Sequence, residues 1–94
     1  MSEEKKIKYQ EVTPFNFLEV VADGVIILEP RKLFNGGIIG YNQEQKKLVY
    51  SLNKLVESHI KEGWEAEEAL DWLYYNTLRA ADYFDNYPLF IEDW

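Results

Sequence analysis

The sequence predicts an α+β domain, in which a small antiparallel sheet of three to four strands carries two to three helices packed on one face. Three observations predict it. Residues 38–42 and 46–50 are apolar, strand-forming stretches on either side of a short polar connection and read as a hairpin. Residues 52–62 and 66–84 then place apolar side chains at helical spacing. Leu89-Phe90-Ile91, set off by the breaker Asn86-Tyr87-Pro88, reads as a closing strand.

Each element follows from its residues. Residues 1–11 are mostly charged and read as a flexible N-terminal tail ending in a short extended piece. Thr13 is a helix N-cap with Pro14 in the first helical position. A two-turn helix is expected from there to Ala22, burying Phe15, Phe17, Leu18, Val21 and Ala22 and closed by Asp23-Gly24. Val25-Ile26-Ile27-Leu28, bounded by Gly24 and Pro30, reads as a short strand. Residues 31–37 read as a loop in which Asn35-Gly36-Gly37 supplies positive-φ freedom. The hairpin turns around Gln43-Glu44-Gln45, which lacks glycine. Ser51 is the expected N-cap of the first long helix and Gly63 its C′ residue. Leu52, Leu55, Val56, His59 and Ile60 share one face of that helix. Glu67 and Glu68 open the next with the sign its dipole favours.

Composition bounds the function. Ninety-four residues make a single domain, 1–94, and 47% hydrophobic content is ample for one core. Cysteine is absent, which excludes disulfides, thiolate metal sites and thiol nucleophiles. No apolar run approaches the roughly 20 residues that a bilayer demands. Met-Ser-Glu-Glu-Lys-Lys lacks the apolar core of a secretion signal, so a soluble, cytoplasmic protein is expected. The net charge of -7 argues against direct nucleic-acid binding and against an anionic membrane. That charge is unevenly spread. From Leu55 onward, ten carboxylates face two cations, whereas the first 54 residues hold seven against eight. The same acidic stretch carries nine of the fifteen aromatic residues, a mixture that suits docking on another protein better than catalysis.

Projecting residues 66–84 at about 100° per residue separates two faces. Ala69, Leu70, Leu73, Thr77, Ala80 and Phe84 form the inward face, with Trp72 and Tyr83 on its shoulder and Asn76 near its centre. Glu67, Asp71, Tyr75, Leu78 and Asp82 point outward. An apolar centre of Tyr75 and Leu78 inside an acidic rim is the form of a partner-binding surface, although isolated exposed apolar residues are also ordinary. Asn76 either ties the helix to the glycine loop or lines a small cleft, the structural role being favoured. Arg79, the helix's one cation, is placed to pair with Asp82 at i+3, or with Asn76 to hold a carboxylate ligand.

Chemistry is sparse. The single histidine, His59, projects to the apolar side of its helix, where packing is favoured over a general-base role. Ser2, Ser51 and Ser58 stand outside any nucleophile motif. Gly36-Gly37-Ile38-Ile39-Gly40 leads into a strand, whereas phosphate-binding loops lead into a helix N-terminus. Glu67, Glu68 and Asp71 lack the surrounding oxygen ligands of a calcium or magnesium site. No catalytic residue, metal or cofactor is expected. A helix-turn-helix reading of the two long helices fails because Glu67, Glu68, Asp71 and Asp82 would repel phosphates.

Gly37-Ile38-Ile39-Gly40-Tyr41, Lys47-Leu48-Val49-Tyr50-Ser51, Glu67-Glu68-Ala69-Leu70-Asp71-Trp72, Tyr75-Asn76-Thr77-Leu78-Arg79-Ala80 and Pro88-Leu89-Phe90-Ile91 together resemble a group of small phage and prophage proteins. The likeness spans residues 36–91, and the Tyr-Asn dipeptide of the second helix is its most specific part. The resemblance implies a hairpin, a helix pair and a final strand, and no particular activity. Residues 82–87 depart from the pattern. The expected function is a non-enzymatic protein-binding module, in its narrowest form a DNA mimic that fills a basic channel, and possible targets include host nucleases and CRISPR effectors. A ligand-binding or catalytic cleft near Asn76 and Arg79, and a homodimeric structural protein, are the alternatives.

Overall fold

A computed structural model describes residues 7–94. The hairpin is its frame. Strands β2 (Ile38–Asn42) and β3 (Lys47–Ser51) pair antiparallel, with Tyr41 opposite Leu48 and Ile38 opposite Tyr50. Two residues lie between Ile38 and Tyr41 and only one between Leu48 and Tyr50. A bulge between Ile38 and Gly40 absorbs the difference and keeps Ile38 and Tyr41 on one face. The turn works without glycine because Lys46 takes a φ of 58° and Asn42 Oδ1 accepts the Gln45 N–H at 2.7 Å.

Two short strands complete a four-stranded sheet in the order β1-β2-β3-β4. Strand β1 (Gln10–Glu11) is the short extended piece expected at the end of the N-terminal tail, and it pairs antiparallel with β2. Residues 1–6 of that tail lie outside the described residues. The approach of β1 requires Gly40, because a Cβ there would collide with the Tyr9 ring and stand 2.9 Å from the Gln10 carbonyl oxygen. Strand β4 (Leu89–Ile91) pairs with β3 in parallel, with Tyr50 opposite Phe90. The sheet is therefore mixed, not purely antiparallel as expected. The cause is topological: β4 returns only after two helices, and a long helical crossover permits a parallel return that a tight turn cannot.

Tyr41, Leu48 and Tyr50 from one face of the sheet meet Leu52, Leu55, Val56, Ala69 and Leu73 from the helices in a single core. Helix α3 (Leu52–Lys61) begins where β3 ends, and Ser51 serves both. Its hydroxyl accepts the Lys54 N–H at 3.1 Å and donates to Asp93 at 2.6 Å. The other oxygen of Asp93 accepts the Asn53 N–H at 3.1 Å, so the C-terminal segment helps cap the helix. Gly63, at φ 100°, ends the helix as expected. Leu52, Leu55, Val56 and His59 are buried, while Ile60 is exposed.

Three expectations upstream fail. Residues 25–28 form no strand: the Leu28 N–H finds a side-chain partner, the Tyr50 hydroxyl at 3.0 Å, in place of a neighbouring strand. Residues 31–37 are helical, not a loop, with α2 (Arg31–Phe34) running into a 3₁₀ turn at Asn35–Gly37. Helical geometry there drives Phe34 into the core at 1% exposure. Gly36 and Gly37 lack positive φ, and Gly37 matters for closeness, since a Cβ would clash with Leu55. The N-terminal helix is a single turn, α1 (Phe17–Val20), preceded by a turn over residues 14–16. Phe17, Val20 and Val21 pack on the core, but Phe15 and Leu18 stand 95% and 93% exposed. Apolar residues surround this segment, and one turn of helix can bury only one side of itself.

The long second helix is not uniform. It is regular only over α4 (Ala66–Trp72), where the Glu68 carboxylate accepts the Glu65 N–H at 3.3 Å. It continues as a π-helical turn at Leu73–Leu78 and a 3₁₀ turn at Arg79–Asp82. Wide turns and tight turns rotate side chains away from a uniform projection.

Replacing Ser51 with Ala removes the helix cap and one of the two hydrogen bonds to Asp93; urea unfolding should show a loss of about 1–2 kcal/mol. Burial pushes the Tyr50 phenol from 10.0 up to about 12, outweighing the bond it accepts from Leu28. The unfolded chain loses this proton first, so its contribution is complete below pH 10 and disappears as pH rises towards 12. Tyr74, through its bond to Glu92, and Tyr87, through burial, shift in the same direction. Absorbance of tyrosinate against pH should show late-titrating phenols whose ionisation coincides with loss of near-ultraviolet circular dichroism.

Candidate functional site

The aromatic residues of the acidic stretch divide into two sets. Trp64, Trp72, Tyr87 and Phe90 pack against the core. They join a connected series of rings: Phe90 stacks on Tyr50 at 5.7 Å, Phe34 meets Tyr50 edge-on at 6.3 Å, and Phe34 also contacts Trp72. Tyr74, Tyr75, Tyr83, Phe84 and Trp94 remain exposed. Phe84 was expected inside and is 54% exposed, stacked on Tyr87 at 5.9 Å.

The proposed docking residues come apart in an instructive way. Tyr75 is 69% exposed, and Glu67, Asp71 and Asp82 are exposed with it. Leu78 is not part of that surface; it is half-buried and packs against the core. Leu73 and Leu78 are the two ends of the π turn, and i→i+5 bonding brings residues five apart closer to one face than regular helix geometry would. Asn76 shows the opposite correction. It is exposed, not inward, and its amide donates to its own helix at the Trp72 carbonyl, 3.2 Å away. It makes no tie to the glycine loop.

Arg79 does not bridge to Asp82. Its guanidinium carbon lies 5.1 Å from the centre of the Tyr75 ring, a cation–π contact worth about 0.5–1 kcal/mol at an exposed site. Asp71, Tyr74, Tyr75 and Arg79 line one shallow depression of about 480 Å³. Tyr74 is fixed in it by a 2.6 Å hydrogen bond from its hydroxyl to Glu92, which raises its pKa. Asn76 is absent from this lining.

His59 is sealed in the core at 0% exposure. Its Nδ1 lies 2.7 Å from the Leu55 carbonyl oxygen, an acceptor, so Nδ1 carries the proton. Nε2 is buried without a partner, enclosed by the rings of Phe34, Trp64 and Trp72. No substrate reaches it. Among the described residues, no three histidine or carboxylate groups gather where a metal ion could be held, and no helix is long and apolar enough to cross a membrane.

A second feature escaped the sequence reading. Val12, Thr13, Pro14, Phe17, Leu18, Ile27, Arg31, Asn35 and Ile38 line a half-open cleft of about 350 Å³ beside the exposed Phe15 and Leu18. Polar side chains hold this corner. Asn16 Oδ1 accepts the Thr13 N–H at 2.7 Å, Asn16 Nδ2 donates to the Glu11 carbonyl, and Thr13 Oγ accepts the Phe15 N–H at 3.2 Å. The available signal was the excess of apolar residues around so short a helix.

No protein-family model, no curated protein and no solved structure matches this chain.

Proposed function

We propose that this chain is a small acidic, non-enzymatic protein-binding module of phage or mobile-element origin that docks on a host protein and inhibits or modulates it. A nuclease or a CRISPR effector is the kind of host enzyme meant. One observation carries the reading: Tyr75 stands 69% exposed on a helix whose neighbouring carboxylates, Glu67, Asp71 and Asp82, are also exposed. A rigid aromatic anchor inside a polar border is the composition of an energetic centre in a protein interface. The absence of Leu78 from that surface narrows the anchor to Tyr75, with Tyr74 and Arg79 beside it.

Affinity capture from a host lysate, followed by mass spectrometry, tests the proposal. Tyr75→Ala should weaken capture of the principal partner by roughly 30-fold, the scale of an interface hot spot. Its urea midpoint should match that of the parent chain. Undiminished capture would remove Tyr75 from the interface.

Homodimer formation has its own support in Phe15 and Leu18, whose near-complete exposure places two large apolar side chains in water, one in the turn before α1 and one within it. On this reading the parent chain has a dimer's mass in light scattering, and the pair Phe15→Ser and Leu18→Ser halves it. A parent chain that remains monomeric at high concentration eliminates self-association.

A further inference from the structure

We infer that the Tyr75 surface recognises arginine: its protein partner presents a basic face, and one guanidinium of that face seats against the Tyr75 ring and the Asp71 carboxylate. This rests on the protein-binding reading and names the chemistry of the partner.

The molecule already contains such a contact. The Arg79 guanidinium stands 5.1 Å from the centre of the Tyr75 ring, so this ring is placed to attract a planar cation, and it keeps 69% exposure. Asp71 lines the same depression and has no ion-pair partner among the described residues. Asp82, three positions beyond Arg79, is likewise without an ion-pair partner among the described residues, and Arg79 lies against the Tyr75 ring. Tyr74, in the same lining, is held by a 2.6 Å hydrogen bond from its hydroxyl to Glu92.

Charge selects the partner. Ten carboxylates against two cations from Leu55 onward leave this half of the chain with a net charge of -8, which steers a basic surface inward and repels phosphates. A flat guanidinium can stack on the ring while its N–H groups reach a carboxylate, whereas an ammonium is compact and strongly hydrated. Arginine is therefore preferred over lysine.

The test titrates the isotopically labelled full-length chain with hexa-arginine and, separately, hexa-lysine, following backbone amides by NMR. Expected are shifts centred on Asp71, Tyr74, Tyr75 and Arg79, with hexa-arginine binding tighter by roughly threefold. Tyr75→Ala should weaken hexa-arginine binding by about two- to fivefold, and Asp85→Asn should have a smaller effect. Affinity should fall as salt rises from about 0.05 to 0.5 M. Shifts spread evenly over all carboxylates, equal affinity for the two peptides, or indifference to Tyr75→Ala would each overturn the inference. If Tyr75-dependent capture from the lysate persists while the peptide experiment fails, the docking surface survives and its arginine specificity does not. If both fail, the surface itself is wrong.

Discussion

Tyr50 is the residue on which the arrangement turns. It sits in β3, one of the two inner strands, with no exposure, and each of its sides holds a different part of the chain. Its hydroxyl accepts the Leu28 N–H and so anchors the extended segment that has no strand of its own. Its ring meets Phe34 from α2 edge-on and stacks with Phe90 from β4. Through Phe34 the contacts reach His59 and Trp72, on α3 and α4. One side chain therefore ties together elements brought from distant parts of the sequence. The dryness needed for that role is what raises its pKa to about 12.

This aromatic series determines which rings are left for binding. Trp64, Trp72, Tyr87 and Phe90 are half-buried and packed against the core. Tyr74 and Tyr75 are left outside, and the π turn beginning at Leu73 separates them from Leu78, which turns inward. Surface and core are thus two consequences of one irregular helix. π turns are rare and occur mostly as single turns inside α-helices. Here the re-aimed groups are Leu78, which turns inward, and Asn76, which turns outward, while Tyr75 stays on the side that bears Glu67, Asp71 and Asp82.

The first third of the chain obeys a different constraint. With only one helical turn, α1 has apolar residues on more sides than the core can cover. Phe17, Val20 and Val21 win the contacts, and the hydrogen bonds among Thr13, Asn16 and Glu11 hold Phe15 and Leu18 in water. Cleft and rim together make this the second apolar surface of the protein. It lies in the part of the chain whose charges nearly balance, seven carboxylates against eight cations in the first 54 residues.

Local rules were enough for much of this protein. The hairpin, the Ser51 cap, the glycine at the end of α3, the closing strand and the uneven acid distribution all follow from the sequence. Each depends on alternation, capping or backbone freedom, which involve residues a few positions apart. The parallel pairing of β4, the helical turn that buries Phe34, the outward side of Asn76 and the inward side of Leu78 were decided only on folding. Those outcomes depend on which distant surfaces meet. A helix projected at constant pitch cannot anticipate a π turn, and no local pattern says which of several apolar faces the core has room to accept.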